Sequence, residues 1–157
     1  MSVTPLLAAL GRIPSGLFVL TGRRGDAETG MLASWVQQCS FVPPLISVAL
    51  RRGRVLSDWL EEGVAFTVHI LPEGSKELVA HFGKGFNAGE PAFDGVEVER
   101  RDGLPPRLAV ALAILDCRVI GRYVTGDHDL IVAEVVDGQV LEQARPMVHV
   151  RRNGSHY

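Results

Sequence analysis

The stretch Ala113-Ile114-Leu115-Asp116-Cys117-Arg118-Val119-Ile120-Gly121-Arg122-Tyr123-Val124-Thr125 carries the cleanest two-residue alternation in the chain. Leu115, Cys117, Val119, Tyr123 and Thr125 fall on one side, with Asp116, Arg118 and Arg122 on the other, which predicts a long strand buried on one face. Working outward, residues 129–136 predict a further strand, Asp137-Gly138 a hairpin-type turn, and Val140-Leu141 and residues 147–150 the last β pieces. Upstream, residues 64–71 predict a strand with Val64, Phe66, Val68 and Ile70 on one face and His69 on the other. Residues 16–21, 30–41 and 45–50 add β-prone runs, with Val42-Pro43-Pro44 as a stiff corner.

Three short helices punctuate the strands. Thr4 caps one that begins at Pro5 and stops at Gly11; Val55, Leu56, Trp59 and Leu60 keep helical spacing before Gly63; Ser75 caps a third through Leu78, Val79 and Phe82 to Gly83. Residues 84–106, rich in Gly, Pro and charge, read as loop with one short strand near Val96. Many strands without regular strand–helix alternation argue against a doubly wound sheet and for a mostly β, closed or nearly closed antiparallel barrel.

At 157 residues the chain suits one domain, 1–157, with a core that needs no staples. Sixteen basic against 18 acidic residues, a net charge of -2, exclude an overall electrostatic footprint for nucleic acid. Apolar runs are broken within a strand's length, so no membrane span is expected. Met1-Ser2-Val3-Thr4-Pro5 lacks the basic head and apolar run of a secretory signal, and Cys39 and Cys117 form no CxxC, so a reducing cytoplasm is the expected compartment. The five histidines, His69, His81, His128, His149 and His156, have no zinc-type spacing, so no metal is expected. The glycines of 22–30 and 83–89 match neither the dinucleotide fingerprint nor the Walker loop.

Chemistry concentrates in three places. The run Gly30-Met31-Leu32-Ala33-Ser34-Trp35-Val36-Gln37-Gln38-Cys39-Ser40-Phe41 offers backbone N–H groups and hydroxyls to an anion, and Met31 or Trp35 to a flat ring, although composition alone favours an ordinary strand. Gly126-Asp127-His128-Asp129 puts an imidazole in a turn between two long strands, where binding groups collect, as do plain turns. Arg51-Arg52-Gly53-Arg54 precedes a helix and can hold a phosphate bidentately, or be a solvated turn. Together they suggest a mononucleotide phosphate and leave its ring unnamed.

Several phrases, in order, resemble the flavin reductase-like family of FMN-binding split barrels. They are Arg12-Ile13-Pro14-Ser15-Gly16-Leu17-Phe18-Val19-Leu20-Thr21, Gly30-Met31-Leu32-Ala33-Ser34-Trp35-Val36, Ser40-Phe41-Val42-Pro43-Pro44-Leu45 and Gly126-Asp127-His128-Asp129-Leu130. Ala33-Ser34-Trp35, His81-Phe82-Gly83-Lys84-Gly85-Phe86 and Arg151-Arg152-Asn153-Gly154-Ser155-His156-Tyr157 resemble most the C-terminal flavin reductase module of diflavin flavodiiron proteins. The resemblance implies a six-stranded antiparallel Greek-key split barrel, a homodimer, and non-covalent FMN near the subunit interface. It implies that Met31 and the backbone around Ala33, Ser34, Trp35 and Val36 face the isoalloxazine, with Cys39 and Ser40 near the ribityl phosphate. Arg51 and Arg54 fall in the family's phosphate-side loop, His81 and Lys84 in a helix-end region that reaches the cofactor in some members. His128 matches the histidine beside flavin and nicotinamide and is the implied catalytic residue, supporting charge on the reduced flavin.

The implied activity is hydride transfer from NADH or NADPH to FMN, with reduced flavin passed to an oxygenase or other acceptor. An electron carrier with tightly held FMN and a protein redox partner is the alternative, and a module for another cofactor or none is a third reading. Since one fold hosts several activities, these are separated at the site.

Overall fold

The computed structural model describes residues 2–157; Met1, where the expectation of no leader begins, lies outside them. Along the chain come α1 (Pro5–Leu10), β1 (Ser15–Gly16), β2 (Phe18–Arg24), β3 (Ala27–Ala33), β4 (Val36–Ser40), β5 (Leu45–Arg51), α2 (Val55–Trp59), β6 (Ala65–Ile70), α3 (Lys76–Gly83), β7 (Val98–Glu99), β8 (Arg107–Leu108), β9 (Ala113–Val124), β10 (His128–Val140) and β11 (Val148–His149). Seven strands form one antiparallel sheet in the order β3-β2-β6-β9-β10-β5-β4. Its two edges, β3 and β4, are joined only by Ser34 and Trp35, a span of about 10 Å at most. The sheet must therefore curl until its edges meet at a seam, and Ala49 N–H of β5 donates to Trp35 C=O at 3.0 Å, carrying the β4–β5 pairing one residue into that link.

The same seam explains the strand count. The run 31–40, expected as one strand of six, is interrupted at Ser34-Trp35, and each half pairs at an opposite edge of the sheet. The architecture is the expected mostly β split barrel, with seven strands rather than six.

Alternate residues of the strands fill the barrel: Leu20, Ile46, Val48, Leu50, Phe66, Val68, Cys117, Val119, Ile131 and Ala133, capped by Leu56 of α2 and Leu60 just after it. A second apolar layer lies outside it, where Val19, Leu71 and Phe82 of α3 pack with Ala92, Phe93 and Leu108. That layer buries Thr67 and His69 on the outer face of β6, so the strand is covered on both sides. Segment 84–106, expected as loop, contributes this cover, and its one short strand, β7, pairs with β8.

Two bulges correct the reading of the decisive stretch. Between the pairs Val132↔Gly121 and Ala133↔Val119, Ile120 is left over; an extra residue exchanges the faces of everything beyond it. Tyr123 and Thr125, expected inside, are exposed, and Arg122, expected outside, turns in. Asp137-Gly138 is not a turn: after a second irregularity at Val136 the strand runs on, with Asp137↔Asp116 and Gly138↔Leu115 in register. Thr4 caps α1 as expected, accepting from Leu7 N–H at 3.3 Å. Ser75 does not cap α3; its hydroxyl donates to Pro72 C=O at 2.7 Å instead. The corner at Pro43-Pro44 contains a cis Val42–Pro43 peptide. No helix among the described residues is long and apolar enough to cross a membrane.

Cys117 sits in the barrel core, where burial pushes its thiol up to about 12, whereas Cys39 is exposed on β4. A thiol held that far above neutral pH carries almost no thiolate. One thiol per chain, lost in Cys39→Ser, should therefore react with Ellman's reagent at pH 7.5, and the second only after denaturant; two fast equivalents in the native protein would contradict the burial of Cys117.

Candidate functional site

A cavity of about 300 Å³ opens beside the seam. β3 supplies its floor with Met31 and Ala33, Ser34 follows at the seam, and α3 walls it with Val79 and Phe82. Phe82 can lie this close because of Gly30: a Cβ there would stand 2.8 Å from the ring.

The far wall is cationic. Adjacent residues at a strand end point to opposite faces, and the chain reverses at Gly53, whose φ of +83° is left-handed. Arg51 and Arg54 consequently both line the cavity while Arg52 turns away. Gly85, at φ +74°, leaves room for Arg54, whose Nη1 would be 2.9 Å from a Cβ there. Among the described residues neither Arg51 nor Arg54 has an ion pair, whereas Arg52 Nε binds Asp129 Oδ1 at 2.9 Å.

Asp129 is buried, and its other oxygen takes Arg122 Nη2 at 2.6 Å. Arg122, with Arg52 second, holds its carboxyl below the ordinary carboxylate range. Arg122 also donates to the Leu60 carbonyl at 3.2 Å and to the Ser57 carbonyl, so one carboxylate and one guanidinium tie the β9–β10 turn to α2 and the arginine loop. This clamp was hidden from alternation because the Ile120 bulge turns Arg122 inward.

Ser34 Oγ is buried at the cavity wall and has no hydrogen-bond partner among the described residues. A buried hydroxyl left unpaired is costly, so its presence at a cavity marks a place for a polar group of a ligand.

His128 pairs in register with Arg51 across β10 and β5. Its Nδ1 lies 2.6 Å from Asp127 Oδ1, and its Nε2 is hydrogen-bonded to the Tyr157 hydroxyl. The hydrogen bond from His128 holds the Asp127 carboxyl below its usual range, so Asp127 is an acceptor and Nδ1 carries the proton. Trp35 packs beside both rings, 4.7 Å from His128 and 5.3 Å from Tyr157, and Arg151 lies over Trp35 at 5.1 Å. Tyr157 lines the cavity and connects this aromatic cluster to it.

Of the residues singled out by sequence, Met31, Ala33, Ser34, Arg51 and Arg54 line the cavity, and Trp35 and His128 stand at its rim behind Tyr157. Val36 packs against the barrel core, and Cys39 and Ser40 lie along β4, outside the lining. His81 is tied to Ala92 C=O at 2.7 Å, and Lys84 is exposed between the lining residues Gly83 and Gly85. Sequence reasoning missed Tyr157, Phe82 and Phe86 as cavity residues; only their place within family-like phrases marked them.

The curled antiparallel barrel presents an apolar slot with a hydroxyl and two guanidiniums that have no partner among the described residues, an arrangement that suits a ligand with an apolar body and an anionic end. The chain belongs to the flavin reductase like domain family, whose model matches residues 10–156. It is 37% identical over 151 residues, 95% of its length, to diflavin flavoprotein A 1 of Synechocystis sp. strain PCC 6803, and 37% identical over 158 residues to a diflavin flavoprotein A 5 of Nostoc sp. strain PCC 7120. It spans about a quarter of such relatives, 26% of the first and 28% of the second. Among solved structures it resembles the NADH:FAD oxidoreductase SgcE6 of Streptomyces globisporus C-1027, with TM-score 0.82 and 26% identity over 91% of this chain and 85% of that one. The styrene monooxygenase flavin reductase of Pseudomonas putida S12 matches with TM-score 0.78 and 27% identity over 94% and 93%.

Proposed function

We propose that the chain, as one domain over 1–157, binds FMN non-covalently in the Ser34–Arg51–Arg54 cavity and acts as an NAD(P)H-dependent flavin reductase. The observation that carries this reading is the coincidence, in one apolar cavity, of a buried hydroxyl with two guanidiniums, the hydroxyl having no hydrogen-bond partner and the guanidiniums no ion pair among the described residues. Arg51 and Arg54 suit the dianionic terminal phosphate of a mononucleotide, and Met31 and Ala33 the flat ring. Bound flavin supplies the acceptor for a hydride from the reduced nicotinamide. The chain's residues position and screen: the arginines hold the phosphate, Ser34 Oγ pairs with a polar ring edge, and His128, fixed through Nδ1 by Asp127, stands at the cavity rim behind Tyr157.

A homodimer completes the reading. Large apolar side chains stand in solvent on the single chain, Phe41 at 86%, Val42 at 92% and Val124 at 76% exposure, more than a lone domain leaves open without purpose. Among solved relatives, SgcE6 is known in complex with NAD and FAD fragments, which supports a pyridine nucleotide beside the flavin. We place the protein in the cytoplasm, with an oxygenase or other acceptor consuming its reduced flavin.

The visible spectrum of the purified protein, before and after anaerobic NADH and then NADPH, tests this. A flavin spectrum that bleaches with either nucleotide is the expected result. Protein that stays colourless and takes up no FMN overturns the reading, and tight FMN that neither nucleotide reduces favours the electron carrier.

A further inference from the structure

The Tyr157 ring occupies a place in the cavity that the fold goes to some length to fill. Segment 151–157 is fastened to α1 by close backbone packing. Gly154 N–H donates to Leu7 C=O at 2.6 Å, and a Cβ on Gly154 would fall 2.4 Å from the Leu10 Cβ. A Cβ on Gly11 would fall 2.6 Å from Asn153 Cα. Arg151 donates to Leu10 C=O at 3.1 Å, and Asn153 Oδ1 accepts from Ser155 N–H at 2.8 Å. Beyond Ser155 these fastenings stop. His156 is exposed, and Tyr157, still 55% exposed, is held by its hydrogen bond to His128 Nε2 and by contact with Trp35. An anchored strap thus carries a lightly held planar ring into the cavity, on the one polar atom of His128 that Asp127 leaves available.

We propose that Tyr157 holds the place of the donor: the nicotinamide ring enters the cavity mouth by displacing the Tyr157 ring, and its carboxamide takes over His128 Nε2 from the phenol. The inference rests on the flavin reductase reading above. The exchange conserves contacts. One flat ring replaces another beside Trp35, and one hydrogen bond to Nε2 replaces another, with the carboxamide N–H donating as the phenol O–H did. The strap up to Gly154 stays in place, because it is fixed to α1. Burial holds the phenol above its ordinary range, so Tyr157 is a neutral ring at physiological pH and places no negative charge against Arg51 and Arg54. Ser34, Arg51 and Arg54 reach the cavity from the β3–β4 link and the arginine loop, none of them hydrogen-bonded to Tyr157.

A place-holder held by one hydrogen bond and contacts with the Trp35 and His128 rings weakens its competitor by about tenfold. Nicotinamide mononucleotide, which lacks the adenylate half and cannot be oxidised further, is the probe, titrated into FMN-loaded protein and read by the perturbation of the flavin spectrum. Tyr157→Ala should bind it about tenfold more tightly than the parent, with Tyr157→Phe between the two. FMN affinity, measured separately by fluorescence quenching, should not rise in either variant, and melting temperatures report that each variant is folded. Unchanged or weaker binding of the probe in Tyr157→Ala overturns the proposal. Tighter FMN binding in that variant also overturns it, since Tyr157 would then be holding the flavin's place. A parent chain that binds no FMN sinks the flavin reading itself, and with it this inference, whereas normal FMN binding with an indifferent probe sinks the inference alone.

Discussion

The double variant Arg51→Gln, Arg54→Gln is expected to bind FMN several hundredfold more weakly, on the order of 10²–10³, and riboflavin as well as the parent does. The two ligands differ by the phosphate alone, so the difference between them isolates what the guanidiniums hold. A charge-assisted hydrogen bond contributes roughly 1.5–3 kcal/mol, and two of them at the open end of a cavity about 3–4 kcal/mol. Single variants should each cost about ten- to thirtyfold. Because the contact is ionic and partly wet, raising the salt should weaken FMN binding in the parent and barely alter it in the double variant. Fluorescence quenching titrations with both flavins at two ionic strengths give all of these numbers. Equal losses for riboflavin and FMN would mean that the substitutions damaged the slot, and no loss for either would remove Arg51 and Arg54 from the site.

That experiment separates residues that look alike in the sequence. Arg51, Arg52 and Arg54 form one basic cluster to composition, yet strand geometry and the left-handed Gly53 send Arg52 to Asp129 and the other two to the cavity. What local pattern could express was legible: the β alternation, the helix start at Pro5 and the corner at Pro43-Pro44, and the family phrases that pointed to Met31, Ala33, Ser34, Arg51 and Arg54, all of which line the cavity. What depends on a single inserted residue was not. The bulge at Ile120 turns Arg122 inward and Tyr123 outward, and nothing in the alternation of residues 113–125 announces it. The Asp137-Gly138 pair is a common turn signal, but here Gly138 lies against Leu115, whose Cδ2 would be 3.2 Å from a Cβ, and the strand continues. Long-range partners were equally silent. Tyr157 reaches His128 from 29 residues away, and His69 reaches Leu108 from 39.

His69 also sets the acid limit of the fold. Its ring is fully buried between the barrel and the outer layer, with Nδ1 donating to Val19 C=O at 2.9 Å and Nε2 accepting from Leu108 N–H at 3.0 Å. Both nitrogens are satisfied only in the neutral form: a proton on Nε2 would break the Leu108 bond and bury a charge. Burial accordingly lowers its pKa from 6.5 to about 4. The unfolded chain takes up this proton as pH falls below 6.5, the native chain only near 4, so between those values the unfolded state binds more protons and stability falls with falling pH. The loss across that window amounts to about 3 kcal/mol, a large share of the 5–15 kcal/mol roughly typical of a domain. Asp116 and Asp129, whose carboxyls are also held low, act in the same direction but below the ordinary carboxylate range, so the upper window belongs to histidine. Urea midpoints at pH 7, 5.5 and 4.5 should decline steadily in the parent. In His69→Gln, which lacks the titrating ring, the protein should be weaker at pH 7 and its pH slope distinctly flatter. The parent and variant curves must therefore converge toward pH 4.5; parallel curves would show that His69 is already charged inside the fold, or that it is not enclosed by the 84–108 layer at all.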